Sequence, residues 1–167
     1  MSYLSVPQAR IRAGGVHFIR KGPPDPNNPE DFVPTAKCIL LVVCKIMRNI
    51  MASAAEAKYG TIFVNAQTYV PICTTLYDMG WRQGPTDTQV ENYTAVGITT
   101  KEFRENKSKA MDMCFYWIND RIKQRQFRVF WRPGPENLGD YHFKHHPPEY
   151  HIAIRSKYLH VPNLRLL

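Results

Sequence analysis

Lys107 to His146, KSKAMDMCFYWINDRIKQRQFRVFWRPGPENLGDYHFKHH, decides how the chain is read. Met111, Cys114, Phe115, Ile118 and Ile122 recur at helical spacing, so one face is apolar. Lys109, Asp112, Arg121, Lys123 and Arg125 fall mainly on the other faces, which predicts an amphipathic helix. Phe127 to Trp131 is short and aromatic and carries the β-branched Val129, as a strand should. Pro133-Gly134-Pro135 ends it, because proline removes a donor and glycine permits the turn. Asn137 to Asp140 then reads as a turn into a final helical segment, and it presents one acid, Asp140.

Upstream, Lys37 to Ile46 is a continuous apolar run with β-branched members, which predicts a buried central strand. Ala52 to Ala55 opens a helix with Ser53 as N-cap. Its apolar stripe runs through Tyr59, Ile62, Phe63 and Ala66 and continues to Val70, Cys73, Leu76 and Tyr77. Pro71 is expected to kink or split this helix, and Gly80 to stop it. Thr86 to Glu91 reads as a short strand, Thr94 to Thr100 as a short helix, and Glu102 to Lys107 as a charged connector.

Nearer the start, Met1 to Gly15 reads as a truncated strand and a turn at Gly14-Gly15, followed by a strand from Gly15 to Gly22. Pro23 to Pro34 contains five prolines and reads as a loop. At the far end, Pro147 to His160 predicts a last helix with its prolines where they are tolerated. No internal repeat and no second domain are visible.

The chain has 167 residues, enough for one domain with a real core. Its composition is that of an ordinary globular protein, with 44% hydrophobic and 22% charged residues. The formal charge is +8, and from Lys101 onward there are 13 Lys and Arg against 7 Asp and Glu. A basic excess of this kind attracts polyanions without regard to sequence. Cys38, Cys44, Cys73 and Cys114 are widely spaced, which argues against a zinc site or disulfide framework. Free, mostly buried cysteines suit a reducing compartment. With no signal-like start, and with an apolar run at Cys38 to Cys44 too short to span a bilayer, an intracellular protein is expected.

The skeleton SKAMDM-FYW-DR---QF---W-PG--N-GDY--KHH, preceded by ASAAEAKYG (Ala52 to Gly60) and VENYTAVGI (Val90 to Ile98), resembles the ribonuclease H domain that ends copia-type retrotransposon polyproteins. The three pieces share the order and spacing of that domain and cover most of the chain. The resemblance implies an α/β fold: a ribonuclease H-like mixed sheet with flanking helices over residues 1–160, its first strand truncated, and a frayed tail over 161–167.

Members of that family cut the RNA strand of an RNA–DNA hybrid with two magnesium ions about 4 Å apart. Four carboxylates hold the ions, because magnesium wants oxygen ligands. By resemblance, the first lies just before Ser2, so the expectation is that this chain lacks it. The second falls in Ala55-Glu56-Ala57-Lys58-Tyr59. Aligned on the acid before the tyrosine, that position holds Lys58; in the other register it holds Glu56. Glu56 cannot replace Lys58 directly, since two residues along a helix are about 200° apart around it. The third position holds Glu91 where the pattern has Asp, one methylene longer. The fourth is Asp140. The catalytic candidates are therefore Asp140, Glu91 and Glu56, with Asp140 and Glu91 left as weak metal ligands. Magnesium is implied by the family but is not expected to bind tightly.

The nucleic-acid-binding candidates are Lys107, Lys109, Arg121, Lys123, Arg125, Lys144 and His145. A solvated basic face is the plainer role for them. Asp140 could equally be a helix N-cap, Glu91 an exposed strand end, and Glu56 a first-turn acid. Trp81, Trp117 and Trp131 are stacking or core candidates. His142, His145, His146 and His151 cluster without the spacing of a zinc site.

The resulting expectation is a degenerate, nuclease-inactive domain that retains weak RNA–DNA hybrid binding. The alternatives are an active hybrid ribonuclease completed by a partner chain and a non-enzymatic protein-interaction remnant. No membrane partner is expected. Self-association through an unpaired sheet edge is a further expectation.

Overall fold

In the computed structural model, residues 2–6, 10–19, 39–47, 53–99, 109–142 and 144–158 are described. The expected loop at Pro23 to Pro34, the connector at Glu102 to Lys107 and the tail at 161–167 lie outside these residues. The architecture is mixed α/β. Strands β1 (Ser2–Val6), β2 (Arg10–Phe18) and β3 (Ile39–Met47) form an antiparallel sheet in the order β1-β2-β3. Helix α1 (Ala54–Asp78) follows, and then β4 (Thr86–Val90), α2 (Tyr93–Thr99), α3 (Lys109–Lys123), β5 (Phe127–Trp131) and α4 (Pro148–Tyr158). Strands β4 and β5 pair in parallel, Thr86 opposite Phe127 through Val90 opposite Trp131. Their crossover contains α2 and α3, the connection that parallel strands need. Asp87 and Arg128 face each other across the pair and form an ion pair.

The described strands form two sheets, not the single mixed sheet that was expected. Both sheets contribute to one core, and α1 joins them. Ile11 and Ala13 of β2, Tyr59, Ile62, Ala66 and Tyr69 of α1, Val90 of β4, Ile118 of α3 and Phe127 of β5 belong to one buried cluster. Tyr69 is the bridge. Its ring meets His17 of β2 at 5.8 Å and Phe127 of β5 edge-on at 5.5 Å. Its hydroxyl is 3.0 Å from Thr88 Oγ1 of β4.

Several expectations are corrected. Gly14 and Gly15 are not a turn; they lie inside β2, opposite Cys44 and Val43. Ile11, Ala13 and Gly15 alternate onto one face of β2 and shrink along it. A Cβ on Gly15 would lie 1.9 Å from Asn65 Oδ1, so glycine is required where α1 comes closest. Buried Asn65 cannot swing away freely, because its Nδ2 donates to Thr61 O at 2.8 Å and Gly14 O at 3.3 Å. Gly15→Ala is therefore expected to cost about 2–3 kcal/mol by overpacking and lost hydrogen bonds. Urea unfolding checks this, and Asn65→Ala should recover part of the loss in the Gly15→Ala background.

β3 is not a buried central strand. It is an edge of its sheet among the described strands, and Leu40, Leu41, Val42 and Ile46 are exposed. A continuous apolar run is the pattern of a strand covered on both faces. Here the described residues leave much of it uncovered. Cys44 on this strand is also exposed, whereas Cys73 and Cys114 are half-buried; all three are free.

Helix α1 runs through Pro71 unbroken. Proline removes one backbone donor, and the buried residues of α1 all precede it, so packing holds the helix before the defect. Ser53 caps α1, its Oγ accepting from Glu56 N at 3.1 Å. At the other end Trp81 N donates to Leu76 O and Gly80 N to Tyr77 O, both at 2.9 Å, with Gly80 at φ 89°. This is a Schellman stop, which needs the left-handed conformation that glycine supplies. Among the described residues no helix is long and apolar enough to cross a membrane.

Candidate functional site

Three separate pieces of chain converge on a cleft. The first is the N-terminal part of α1, which the Ser53 cap fixes. Ala57 and Tyr59 are buried on its core side, and Lys58 between them is directed elsewhere. The second is the end of β4. Glu91 follows Val90 directly, and Asn92 caps α2, its Oδ1 accepting from Ala95 N at 2.9 Å. Trp131 Nε1 donates to Glu91 O at 3.1 Å, tying this corner to β5. The third is the 3-10 turn at Leu138–His142, which carries Asp140. Asp140 N donates to Asn137 O at 3.1 Å, and Lys144 N donates to Asp140 O at 3.1 Å. The Tyr158 hydroxyl donates to Leu138 O and ties the turn to α4.

A cavity of about 390 Å³ opens between the last two pieces, lined by Glu91, Asn137, Asp140, Lys144, His146 and Tyr150 among others. Gly134 sits against Glu91, for a Cβ there would lie 3.3 Å from Glu91 Oε2. The site is closed by two ion pairs. Lys58 Nζ meets Glu91 Oε1, and Lys144 Nζ meets Asp140 Oδ2. The α1 side chain in contact with Glu91 is thus that of Lys58. Helical geometry turns Glu56 about 200° from it. Glu56 itself is buried.

Burial, the largest cause, pushes Lys58 down to about 8; the Asp140 carboxylate opposes this and the Lys144 ammonium adds to it. The folded value lies below the ordinary 10.5, so the unfolded chain binds the extra proton between the two. Stability from this group is therefore present above pH 10.5 and is lost as pH falls towards 8. Between about pH 7 and 9.5 the expected gain is of order 1–2 kcal/mol. A melting curve at each pH tests this, and Lys58→Gln should flatten the rise.

Around Asp140 lies a stack of rings. His146 stacks on Tyr150 at 4.4 Å and on Tyr141 at 5.8 Å, and His146 Nε2 is 3.3 Å from Asp140 O. His151 Nδ1 lies 3.0 Å from the Tyr141 hydroxyl. Burial lowers the pKa of His142, whose ring packs edge-on against Tyr158. These histidines serve packing. Among the described residues no three His, Cys, Asp or Glu side chains are grouped to hold a metal.

The magnesium centre implied by the resemblance does not fit these residues. Magnesium needs carboxylate oxygens at about 2.1 Å in near-octahedral geometry. Each of the two acids that would supply them already holds an ammonium. Asp140 is not a helix N-cap, since α4 begins at Pro148.

The basic candidates separate into groups. Lys144 lines the cleft and is committed to Asp140, whereas His145 is exposed and is not part of the cavity lining. Lys123 and Arg125 are exposed at the end of α3, with Arg125 at φ 57°. Arg121 is drawn into packing, its guanidinium 5.3 Å from the Trp117 ring centre. Lys107 and the side chain of Lys109 lie outside the description. Trp117 packs edge-on against Phe63 at 5.3 Å, a core role. Trp131 is half exposed and meets the exposed Tyr93 edge-on at 6.4 Å beside Glu91, a pairing the sequence did not signal. Lys144 as partner of Asp140 was also missed, although the four-residue spacing was there to be read.

The chain matches no protein-family model, and no curated protein or solved structure matches it.

Proposed function

We propose that this chain is a ribonuclease H-like domain of the copia-type retrotransposon kind that binds RNA–DNA hybrid weakly and does not cut it. The observation that carries the reading is the Lys58–Glu91 contact. The position that resemblance reserves for a metal-holding acid meets a second such position, and it does so as a lysine. Asp140, the fourth position by resemblance, lines the same cavity as Glu91. Chain segments 33 or more residues apart meet at one cleft, which supports the reading. The element order supports it too: antiparallel strands, a long helix, then a parallel pair joined through helices.

With Glu91 and Asp140 each paired to an ammonium group, the described residues of the cleft lack the carboxylates that would hold the ions stabilising the attacking and leaving oxygens. What remains is the positive charge of Lys123 and Arg125 on α3, with the exposed His145 ring next to Lys144 in the sequence. Exposed Trp131 and Tyr93 offer aromatic faces near Glu91. Fluorescence anisotropy with a labelled hybrid tests this. Binding is expected in chelator as strongly as in magnesium. Absence of binding at low salt would sink the proposal.

A second reading, a protein-interaction module, is favoured by the exposed apolar residues of β3. Salt separates the two readings, because an apolar contact does not weaken as salt rises and a phosphate contact does.

A further inference from the structure

Acids crowded into a partly buried cleft must be neutralised, and either a divalent cation or an ammonium group can do it. Here the ammonium groups are in place. Lys58 Nζ holds Glu91 and Lys144 Nζ holds Asp140. Lys58, Glu91 and Asp140 have only 13%, 16% and 12% of their side-chain surface exposed. The Lys58–Glu91 pair is enclosed, and Lys144, 39% exposed, is the one partly solvated member. Two lysines and two acids sum to no net charge. The contacts also fasten α1 to the end of β4, and the turn at Asp140 to its own exit.

We infer that Lys58 and Lys144 are built-in cations that occupy the place of a divalent metal, so that the site is held without metal and becomes a divalent-cation site once both lysines are removed. The inference rests on the ribonuclease H-like reading of which positions are acidic elsewhere. Its geometry stands on this chain alone. An ammonium in contact with a carboxylate oxygen excludes a dication from that oxygen by contact and by charge. Removing both ammonium groups takes away the contact and the charge that oppose a dication there.

The probe is manganese(II) alone. Uptake is read from loss of the free-ion electron paramagnetic signal, and folding from thermal melts. The wild-type protein is expected to take up no manganese in an Asp140-dependent way and to melt identically in chelator. Lys58→Glu/Lys144→Ala is expected to bind manganese and to melt about 3–6 °C higher with manganese at ten times Kd. Lys58→Gln/Lys144→Ala adds no acid and is expected to bind at least about tenfold more weakly, yet measurably. Adding Asp140→Asn should abolish uptake in both; folding of either only with manganese counts as uptake.

Asp140-dependent uptake by the wild-type protein overturns the inference. So does failure of both double variants to respond to manganese, folded or not. Hybrid binding is measured separately. If hybrid binding fails and manganese behaves as stated, the ribonuclease H-like reading falls and the role of the lysines stands.

Discussion

Alanine in place of Tyr69 is expected to cost about 3–5 kcal/mol, the range for truncating a buried aromatic side chain. The residue is 5% exposed and touches β2, β4 and β5 at once. Its loss leaves a cavity between the two sheets and an unpaired Thr88 hydroxyl. Phenylalanine substitutions separate packing from hydrogen bonding. Tyr69→Phe keeps the ring and loses the 3.0 Å contact to Thr88, a net loss of about 1 kcal/mol. Tyr59→Phe should go the other way. Its ring is fully buried, and its hydroxyl has no hydrogen-bond partner among the described residues. Removing that hydroxyl should gain about 1 kcal/mol. Chemical denaturation of the three variants reads all of these. Equal losses for the two phenylalanine variants would contradict the placement of both hydroxyls.

Affinity for RNA–DNA hybrid is expected to fall roughly 200- to 500-fold between about 50 and 200 mM salt, if about five phosphates are contacted. Arg121 is not among these contacts, since its guanidinium packs on Trp117. Nor is Lys144, which pairs with Asp140. Lys123→Glu/Arg125→Glu should flatten the salt slope by about two contacts and weaken binding to every hybrid sequence alike. A slope near zero would transfer the role of the surface to protein contact. An unchanged slope in the charge-reversal variant would remove α3 from the interface.

The helices and the two short strands β4 and β5 were legible because their signals are local, whereas the parallel pairing of those strands is a long-range fact. Helical spacing in Cys114, Phe115, Ile118 and Ile122 and the short aromatic run at Phe127 to Trp131 need no tertiary context. β2 was misread because Gly14-Gly15 carries two meanings. Glycine permits a turn, and it also permits the close approach of Asn65, which only the packed structure reveals. β3 was misread because an apolar run reports hydrophobicity and not what covers it. Pro71 shows the reverse: a local rule for breaking a helix is overridden when the packed turns precede it.

At the site, Glu91 and Asp140 were both named from the sequence, but only through the resemblance. Their common cavity is a long-range fact. The register at Glu56 and Lys58 could not be decided from spacing, since either aligns within two residues. The Lys58–Glu91 contact places Lys58 on the face that meets β4. Lys144 looked like a phosphate ligand because lysine near the end of a basic stretch usually is solvated. Its role depends on an acid four residues earlier.

The most direct measurement is a gel of labelled RNA–DNA hybrid titrated with the protein in magnesium, in manganese and in chelator. The expected result is a shifted band that weakens with salt, is the same in all three conditions, and contains intact RNA. Metal-dependent cutting of the RNA strand, lost in Asp140→Asn, would contradict it and would mean that the lysines leave Glu91 and Asp140 when substrate binds.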